Sequence, residues 1–393
     1  MRLGLLMGCT ALAWCQPAPP DSQAVIEKIK ATVLDHLARL PNYTCTETVR
    51  RTERPKGSQK PSLIETVHLE VAYVEGKELF GWPGASKIDQ PDIGKMVDGS
   101  AGNGYFGLFQ KAIFSTSATV LKPAGPMTLN GKEALQFDYL IPKTSAPYRL
   151  TTEFGSAAVG FHGSLWVDRT TLELMRLTVE ADNPPVVLGM AATSSTLDFS
   201  RQSIGNSTFA LPRGAELTVV DTDGSVGVAE LSFSGCHQFV GESVIRFDIP
   251  EDQGAPRTAE PVTAVVTLPD EFTADFTLQT PIGWETSGSG DPVTGVLRNG
   301  IQDHGRTIVP KGAKLAARIA HLAMRGDLYY VEIAFLSFDF PGGHGDLSGR
   351  RNGVSVNNVP LIYESTKFKL TRGARLTLHS RLLKSEKHDS IRP

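Results

Sequence analysis

Apolar residues recur at helical spacing in one early segment, residues 22 to 40 (SQAVIEKIKATVLDHLARL). Asp21 or Ser22 can cap the start of this segment, and Pro41 ends it. The residues that share its apolar face are Ile26, Ile29, Val33, Leu37 and Leu40. The pattern predicts one amphipathic helix at the beginning of the folded chain.

Between Tyr43 and Ile249 the chain mostly alternates apolar and polar positions, which is typical of half-buried strands. The segment from Thr66 to Glu75 alternates most regularly. Glu65 and His68 lie three residues apart on that strand, so they face opposite sides and are expected in solvent rather than as joint metal ligands. About ten strands after one helix predict a mostly β fold, a strongly curved antiparallel sheet or open barrel.

The stretch from Trp82 to Ser117 breaks the strand rhythm. Within it, residues 105 to 114 (YFGLFQKAIF) predict a short apolar helix that leaves Gln110 and Lys111 outside. The predicted apolar stripe is Tyr105, Phe106, Leu108, Phe109, Ala112 and Ile113. Because such a helix needs a partner surface, we expect it to form a lid or plug over the sheet and its stripe to contact an apolar ligand.

Residues 250 to 262 (PEDQGAPRTAEPV) are rich in proline and acidic residues and predict a linker between two domains. The first domain then spans residues 21 to 249. A second, small β-barrel-like domain is expected over residues 263 to 383, with 328 to 338 (LYYVEIAFLSF) as a central strand, before a basic tail at 384 to 393.

Residues 1 to 20 carry the features of a secretory signal peptide. Arg2 precedes an apolar run from Leu3 to Ala13, which is too short to span a bilayer. Ala11-Leu12-Ala13 offers a cleavage site, while Cys9 and Cys15 leave a lipoprotein signal as the alternative. We expect an exported protein that is periplasmic or associated with the cell envelope.

Removal of that signal leaves only two cysteines, Cys45 and Cys236. In an oxidising compartment they most simply form a disulfide, and two buried free thiols are the alternative. Cys45 alternates in step with Tyr43 and Val49, whereas Cys236 alternates in step with polar residues. A β-bulge at Gly235 would reverse the phase of Cys236 and allow the bond.

Composition and charge add little to this prediction. The chain has 40% apolar and 21% charged residues, as in ordinary globular proteins, and a net charge of -3. The segment Lys367 to Pro393 carries eight basic and two acidic residues, which favours peripheral contact with an anionic lipid or cell-wall polymer through Lys367 to Arg392. A solvated tail is the alternative, and the lack of aromatic residues after Phe368 argues against nucleic acid.

Sequence motifs for catalysis are missing. The chain has no G-x-S-x-G elbow, phosphate loop, H-E-x-x-H or C-x-x-C motif, so no catalytic residue, cofactor or metal site is predicted. The nearest cluster, His344 and Asp346 with His304, is expected to lie in solvent-exposed turns.

The leading helix and the following hairpins, including residues 163 to 182 (GSLWVDRTTLELMRLTVEAD), resemble the LolA/LolB-like lipoprotein-carrier superfamily of bacterial envelopes. That resemblance implies a half-barrel that shelters an acyl chain, and the Cys45/Cys236 pair departs from it. In the second domain, residues 291 to 297 (DPVTGVL) and 307 to 319 (TIVPKGAKLAARI) resemble TrbI/VirB10-like small β-barrel envelope proteins.

These features lead to three hypotheses. The first is a non-enzymatic envelope protein that binds an acyl chain, as free lipid or on a lipoprotein, or another apolar ligand in the concave face of the first domain. The second is a structural or assembly module that binds envelope protein partners through both β domains. The third is an enzyme of unrecognised type.

Overall fold

The computed structural model describes residues 22–85, 87–97, 102–145, 148–239, 264–326, 328–348, 350–356, 359–360, 362–364 and 368–382. The predicted signal peptide, the linker at 250–262 and the tail at 384–393 lie outside the described residues. In the described part of the chain, we find no helix with the length and apolar character needed to cross a membrane.

The first half contains two α-helices and twelve strands. The helices are α1 (Ser22–Arg39) and α2 (Leu108–Ser115), and 3-10 turns span Ile93–Lys95 and Val186–Leu188. The strands are β1 (Tyr43–Arg54), β2 (Ser62–Val74), β3 (Lys77–Gly81), β4 (Val120–Leu129), β5 (Lys132–Ile141), β6 (Arg149–Thr152), β7 (Gly155–Ala158), β8 (Phe161–Asp168), β9 (Leu174–Ala181), β10 (Met190–Ile204), β11 (Ser207–Asp221) and β12 (Val226–Gln238).

Ten of these strands form one antiparallel sheet in the order β3-β2-β1-β12-β11-β10-β9-β8-β5-β4. No pairing joins β3 to β4 in the described residues, so this sheet is open. The predicted α1 and the predicted number of strands are confirmed. Apolar side chains on one face of the sheet pack into a single hydrophobic cluster. Ile26, Ile29 and Val33 of α1 belong to the same cluster.

A β-bulge brings the two cysteines together. Thr44 pairs with His237 and Thr46 with Ser234, so two residues of β12 lie opposite Cys45. Gly235 takes a positive φ of 61° at this point, which glycine adopts without strain. Cys45 and Cys236 form a disulfide with their Cα atoms 4.1 Å apart, and both the predicted bulge and the predicted bond are confirmed.

In the described residues from 264 to 382, all regular secondary structure consists of strands. They are β13 (Ala264–Val265), β14 (Glu271–Leu278), β15 (Ile282–Gly283), β16 (Pro292–Leu297), β17 (Ile301–Asp303), β18 (Arg306–Val309), β19 (Lys314–Arg325), β20 (Leu328–Phe340), β21 (Gly343–Asp346), β22 (Arg350–Val356), β23 (Val359–Pro360), β24 (Ile362–Glu364), β25 (Lys369–Leu370) and β26 (Arg375–Leu382). The path β22-β26-β14-β16-β19-β20 is antiparallel throughout. These strands enclose a second, separate hydrophobic cluster. The barrel-like shape of the second half and the limits of the two domains, residues 21 to 249 and 263 to 383, remain predictions.

A polar junction joins the two halves. Ala323 of β19 pairs with Glu65 of β2, and the backbone of Ser289 exchanges hydrogen bonds with Thr66 and His68. The carboxylate of Glu65 accepts from the hydroxyl of Ser289 (2.5 Å) and forms an ion pair with Arg51.

The expected exposure of Glu65 and His68 is therefore wrong. Glu65 is only 3% exposed, and His68 is half-buried beside Asp291. Both are covered by residues 288 to 291, which lie more than 200 positions later in the chain. Strand alternation places Glu65 in the buried phase of β2 with Val67, Leu69 and Val71, so its burial could have been predicted from the sequence. The cover by residues 288 to 291 arises from tertiary packing and could not.

Candidate functional site

The segment that leads into α2 is anchored to the first sheet by one carboxylate. The backbone N–H groups of Gly104 and Phe106 each donate to Glu78 of β3 over 2.6 Å. Gly107 follows with a φ of 150°, and a Cβ there would lie 3.2 Å from the ring of Tyr73. This close approach requires glycine, and it makes α2 begin at Leu108 against the inner face of the sheet.

The outer side of α2 has a second anchor. Lys111 donates from Nζ to the carbonyl oxygen of Gly76 (3.1 Å) in the turn between β2 and β3. Its ammonium also lies 5.8 Å from the centre of the Tyr73 ring, within reach of a cation–π contact.

The inner side of α2 and its leader contribute aromatic rings that fill the sheet interior. Phe106 packs edge-on against Phe233 with ring centres 4.8 Å apart, and Phe109 packs edge-on against Phe161 at 6.2 Å. Tyr105 also reaches Phe233. The inner face of the sheet is thus covered by the protein's own side chains, and we call this arrangement the closed form.

Five of the six predicted lid residues, Tyr105, Phe106, Phe109, Ala112 and Ile113, are buried in this layer. Two expectations about α2 are wrong. Leu108 is 45% exposed, whereas Gln110, expected outside, is only 5% exposed. The helix begins three residues later than predicted because Gly107 leaves the helical region, and this rotates Gln110 inward.

Two separate cavities lie beside α1 and α2. An inner slot of about 30 Å³ lies between both helices and strands β9 to β11, with Phe106, Leu174, Phe199 and Leu211 in its wall. An outer cleft of about 400 Å³ opens beside Lys111, Glu75 and Ser115. Leu37 and Leu40 of α1 line both cavities. The slot alone holds about one water molecule, so a larger ligand requires α2 to move.

Polar groups lie within this apolar interior. Glu47 of β1 is 1% exposed, and neither carboxylate oxygen has a hydrogen-bond partner. Burial, with a smaller contribution from the nearby charge of Glu78, raises the pKa of Glu47 to about 8. Glu47 is therefore mainly a neutral acid at pH 7.

Other ionisable groups under the helices also favour their neutral forms. Burial raises the pKa of Glu78, and the two backbone donors oppose that shift. At the slot, burial lowers the pKa of His36, while the nearby charge of Glu173 acts in the opposite direction. The slot lining contains Gln110, His36 and Glu173 but neither lysine nor arginine.

The remaining candidate residues do not assemble a site. His344 lies on β21 rather than in a turn and contacts Asp339 through Nδ1 at 2.6 Å. His304 is exposed in the turn between β17 and β18. In the described ranges, no group of three or more His, Cys, Asp or Glu side chains has a geometry that could hold a metal ion.

Two features of the interior were not predicted from the sequence, namely the buried Glu47 and the inward position of Gln110. The signal for Glu47 was present, since it lies in the same strand phase as Tyr43, Cys45 and Val49. An acidic residue in the apolar phase of a strand indicates either a buried acid or a functional group.

No protein-family model and no curated protein matches this chain. Among solved structures, it is similar to an outer-membrane lipoprotein-sorting protein domain from Vibrio parahaemolyticus, with 12% identity over 54% of this chain and 92% of that one and a TM-score of 0.30. A LolA superfamily protein from Nitrosomonas europaea matches at 12% identity over 56% and 93%, with a TM-score of 0.27.

A chain of the Pseudomonas aeruginosa MucA/MucB complex matches 91% of this chain and 94% of its own length, at 11% identity and a TM-score of 0.18. The similarity to the lipoprotein-sorting and LolA superfamily structures thus covers about half of the chain. None of the structures named here is a TrbI/VirB10-like protein. At such low TM-scores these similarities carry no functional argument.

Proposed function

We propose that this chain is an exported, non-enzymatic envelope protein that binds an acyl chain or another apolar ligand. The ligand would lie between α1, α2 and the concave face of a curved first sheet. The observation that carries this proposal is the apolar inner slot, whose lining shares Leu37 and Leu40 with the open outer cleft. Movement of these two side chains would connect the two spaces and let a chain pass from solvent to the interior between the two helices.

The closed form is compatible with ligand binding if α2 acts as a plug. Aromatic rings from its leader and inner face occupy the space that a ligand would fill. An entering apolar chain would replace these contacts with similar ones, so the interior stays free of water in both forms. The leader contains Gly104 and Gly107, both at positive φ, where the backbone can change direction.

A direct test uses N-phenyl-1-naphthylamine, an uncharged apolar fluorophore that brightens when it leaves water. We expect saturable uptake by the purified protein and recovery of lipid by mass spectrometry from protein isolated with the envelope. The variant Ala38→Trp narrows the outer cleft and should reduce uptake. Ala31→Trp, on an exposed position of the same helix that lines neither cavity, is the matched control.

Two results would contradict the proposal. One is the absence of both probe uptake and co-purified lipid in the unaltered protein. The other is equal uptake by Ala38→Trp and Ala31→Trp, which would place the probe elsewhere.

A second candidate function, binding of an envelope protein partner, is favoured by one exposed apolar patch. Phe154, Val186 and Val187 are 63%, 77% and 70% exposed, and the ring of Phe154 lies over Gly189, next to the second 3-10 turn. Crosslinking in native membranes should then capture a stoichiometric partner that is lost in the double variant Val186→Ser/Val187→Ser. Capture of no partner would count against this function.

A further inference from the structure

Carboxyl groups lie beneath and beside the plug helix, together with the unpartnered hydroxyl groups of Tyr43 and Tyr105. Glu47 and Glu78 lie under α2 and its leader, and Glu173 lies at the slot. None of the residues in the slot lining is lysine or arginine, and burial keeps His36 toward its neutral form. An anion that entered this interior would meet carboxyl groups without a compensating cation.

Glu47 is placed directly behind the rings that a ligand would displace. It pairs across the sheet with Leu69 on one side and Phe233 on the other. Phe233 in turn contacts Phe106 and Tyr105 of the leader. Movement of those two rings would open the inner face at Glu47, whose carboxyl oxygens have no partner in the closed form.

Gln110 gives an independent observation at the slot itself. Its side chain is 95% buried by the fold, lines the slot, and leaves Oε1 without a hydrogen-bond partner. The unpartnered Oε1 of Gln110 accepts hydrogen bonds, and the unpartnered carboxyl group of Glu47 can accept them and, when neutral, also donate one. A buried acceptor without a donor costs about 1–3 kcal/mol, so a ligand that supplies donors gains affinity here.

We propose that the ligand carries a nitrogen hydrogen-bond donor, an amine or an amide, on its apolar chain, and that Glu47 and Gln110 receive this group. A ligand with a carboxylate head is disfavoured because the slot lining offers it no lysine or arginine. This inference rests on the proposed function, since it names the chemical class of the ligand for the same interior. An amine brings a positive charge that favours the ionised form of Glu47, and an amide donates to either oxygen acceptor.

The test compares three ligands with one chain length, namely dodecylamine, dodecanamide and dodecanoate, each below its micelle-forming concentration at pH 7. Affinity is measured by calorimetry and by displacement of N-phenyl-1-naphthylamine. We expect the amine and the amide to bind at least about tenfold more tightly than the carboxylate, as differences between paired and unpaired buried charges imply.

The variant Glu47→Leu should make the affinities for dodecylamine and dodecanoate similar. Gln110→Leu should lower the affinity for dodecanamide. Glu230→Leu is the matched control, because Glu230 lies on the neighbouring strand β12 with an exposed side chain. Glu47→Gln, which keeps the size of the side chain, should retain amide binding and lose the preference for amine over carboxylate. Near-ultraviolet circular dichroism verifies that each variant is folded.

Two outcomes separate the inference from the proposed function. If the fluorophore and the three ligands all fail to bind, the proposed function fails, and the inference fails with it. If the fluorophore binds but the carboxylate binds as well as the amine, or Glu47→Leu leaves the ranking unchanged, the inference is overturned and the proposed function stands.

Discussion

His68 and Asp291 face each other across the junction between the two halves, with His68 Nδ1 2.6 Å from Asp291 Oδ1. They lie 223 positions apart in the sequence, and Asp291 also accepts from the backbone N–H of Gly288. The pair therefore fixes the segment 288–291 on β2. The interaction between His68 and Asp291 is stronger when the imidazole of His68 is protonated and carries a positive charge.

The first prediction concerns pH at this pair. The hydrogen bond to Asp291 raises the pKa of His68 above 6.5, against the opposing effect of burial. The pair stabilises the folded state fully below about pH 6.5, and this contribution disappears as pH rises through the raised pKa. Titration followed by NMR of the His68 ring should show that Asp291→Asn lowers the His68 pKa. Asp303→Asn, at an exposed turn, should leave that titration unchanged, and an unshifted His68 in Asp291→Asn would contradict the assignment.

The second prediction concerns the buried carboxylate at the same junction. Ser289 donates from its hydroxyl to Glu65 and accepts from the backbone N–H of Leu322 over 2.9 Å. Ser289→Ala removes one hydrogen bond from the carboxylate of Glu65 and one from the backbone N–H of Leu322. The free energy of unfolding should therefore fall by about 1–3 kcal/mol in urea titrations. The exposed Ser207→Ala should change it by less than about 0.5 kcal/mol. Equal stability of the two variants would show that the junction does not depend on this hydroxyl.

The third prediction concerns the disulfide. Cys45 and Cys236 close a loop with a sequence separation of 191, for which chain entropy gives an upper estimate of about 5 kcal/mol. Dithiothreitol should therefore lower the urea midpoint of the unaltered protein substantially. The double variant Cys45→Ala/Cys236→Ala should show the low midpoint with and without the reductant. An unchanged midpoint after verified reduction would contradict this role.

The fourth prediction concerns Glu47 and stability. Because the pKa of Glu47 is raised to about 8 in the folded chain, the folded state holds its proton more tightly than the unfolded state. Stability should then fall as pH rises from about 4.5 to about 8, by at most about 1.4 kcal/mol per pH unit. Glu47→Gln should flatten this part of the profile, and Glu230→Gln should not. Parallel profiles for the unaltered protein and Glu47→Gln would rule out a buried acid at this position.

Local pattern predicted the features of this fold that depend on neighbouring residues. The helical spacing of Ile26, Ile29 and Val33 predicted α1, and the phase conflict at Cys236 predicted the bulge at Gly235. Both follow from side-chain direction within a single element. The number of strands in the first sheet followed from alternation in the same way.

The features that were missed depend on contacts between distant segments. The cover over Glu65 comes from Ser289, and the inward turn of Gln110 comes from the fit of Gly107 against Tyr73. The contact between Gly107 and Tyr73 leaves no periodic signal in the sequence, and neither does the identity of the segment that covers Glu65. The burial of Glu65 and of Glu47 did leave a signal, because each acid lies in the apolar phase of its strand.

The position of the disulfide also has a consequence for the order of folding. The bond turns residues 45 to 236 into a covalent ring that contains α2, Glu47 and nearly all of the first sheet. α1 precedes this covalent ring in the sequence, and the whole second half follows it, so neither is enclosed by the bond. Since the bond needs no residue after Cys236, oxidation can lock the first half before the second half has folded. The junction at His68 is then assembled on a surface that is already fixed.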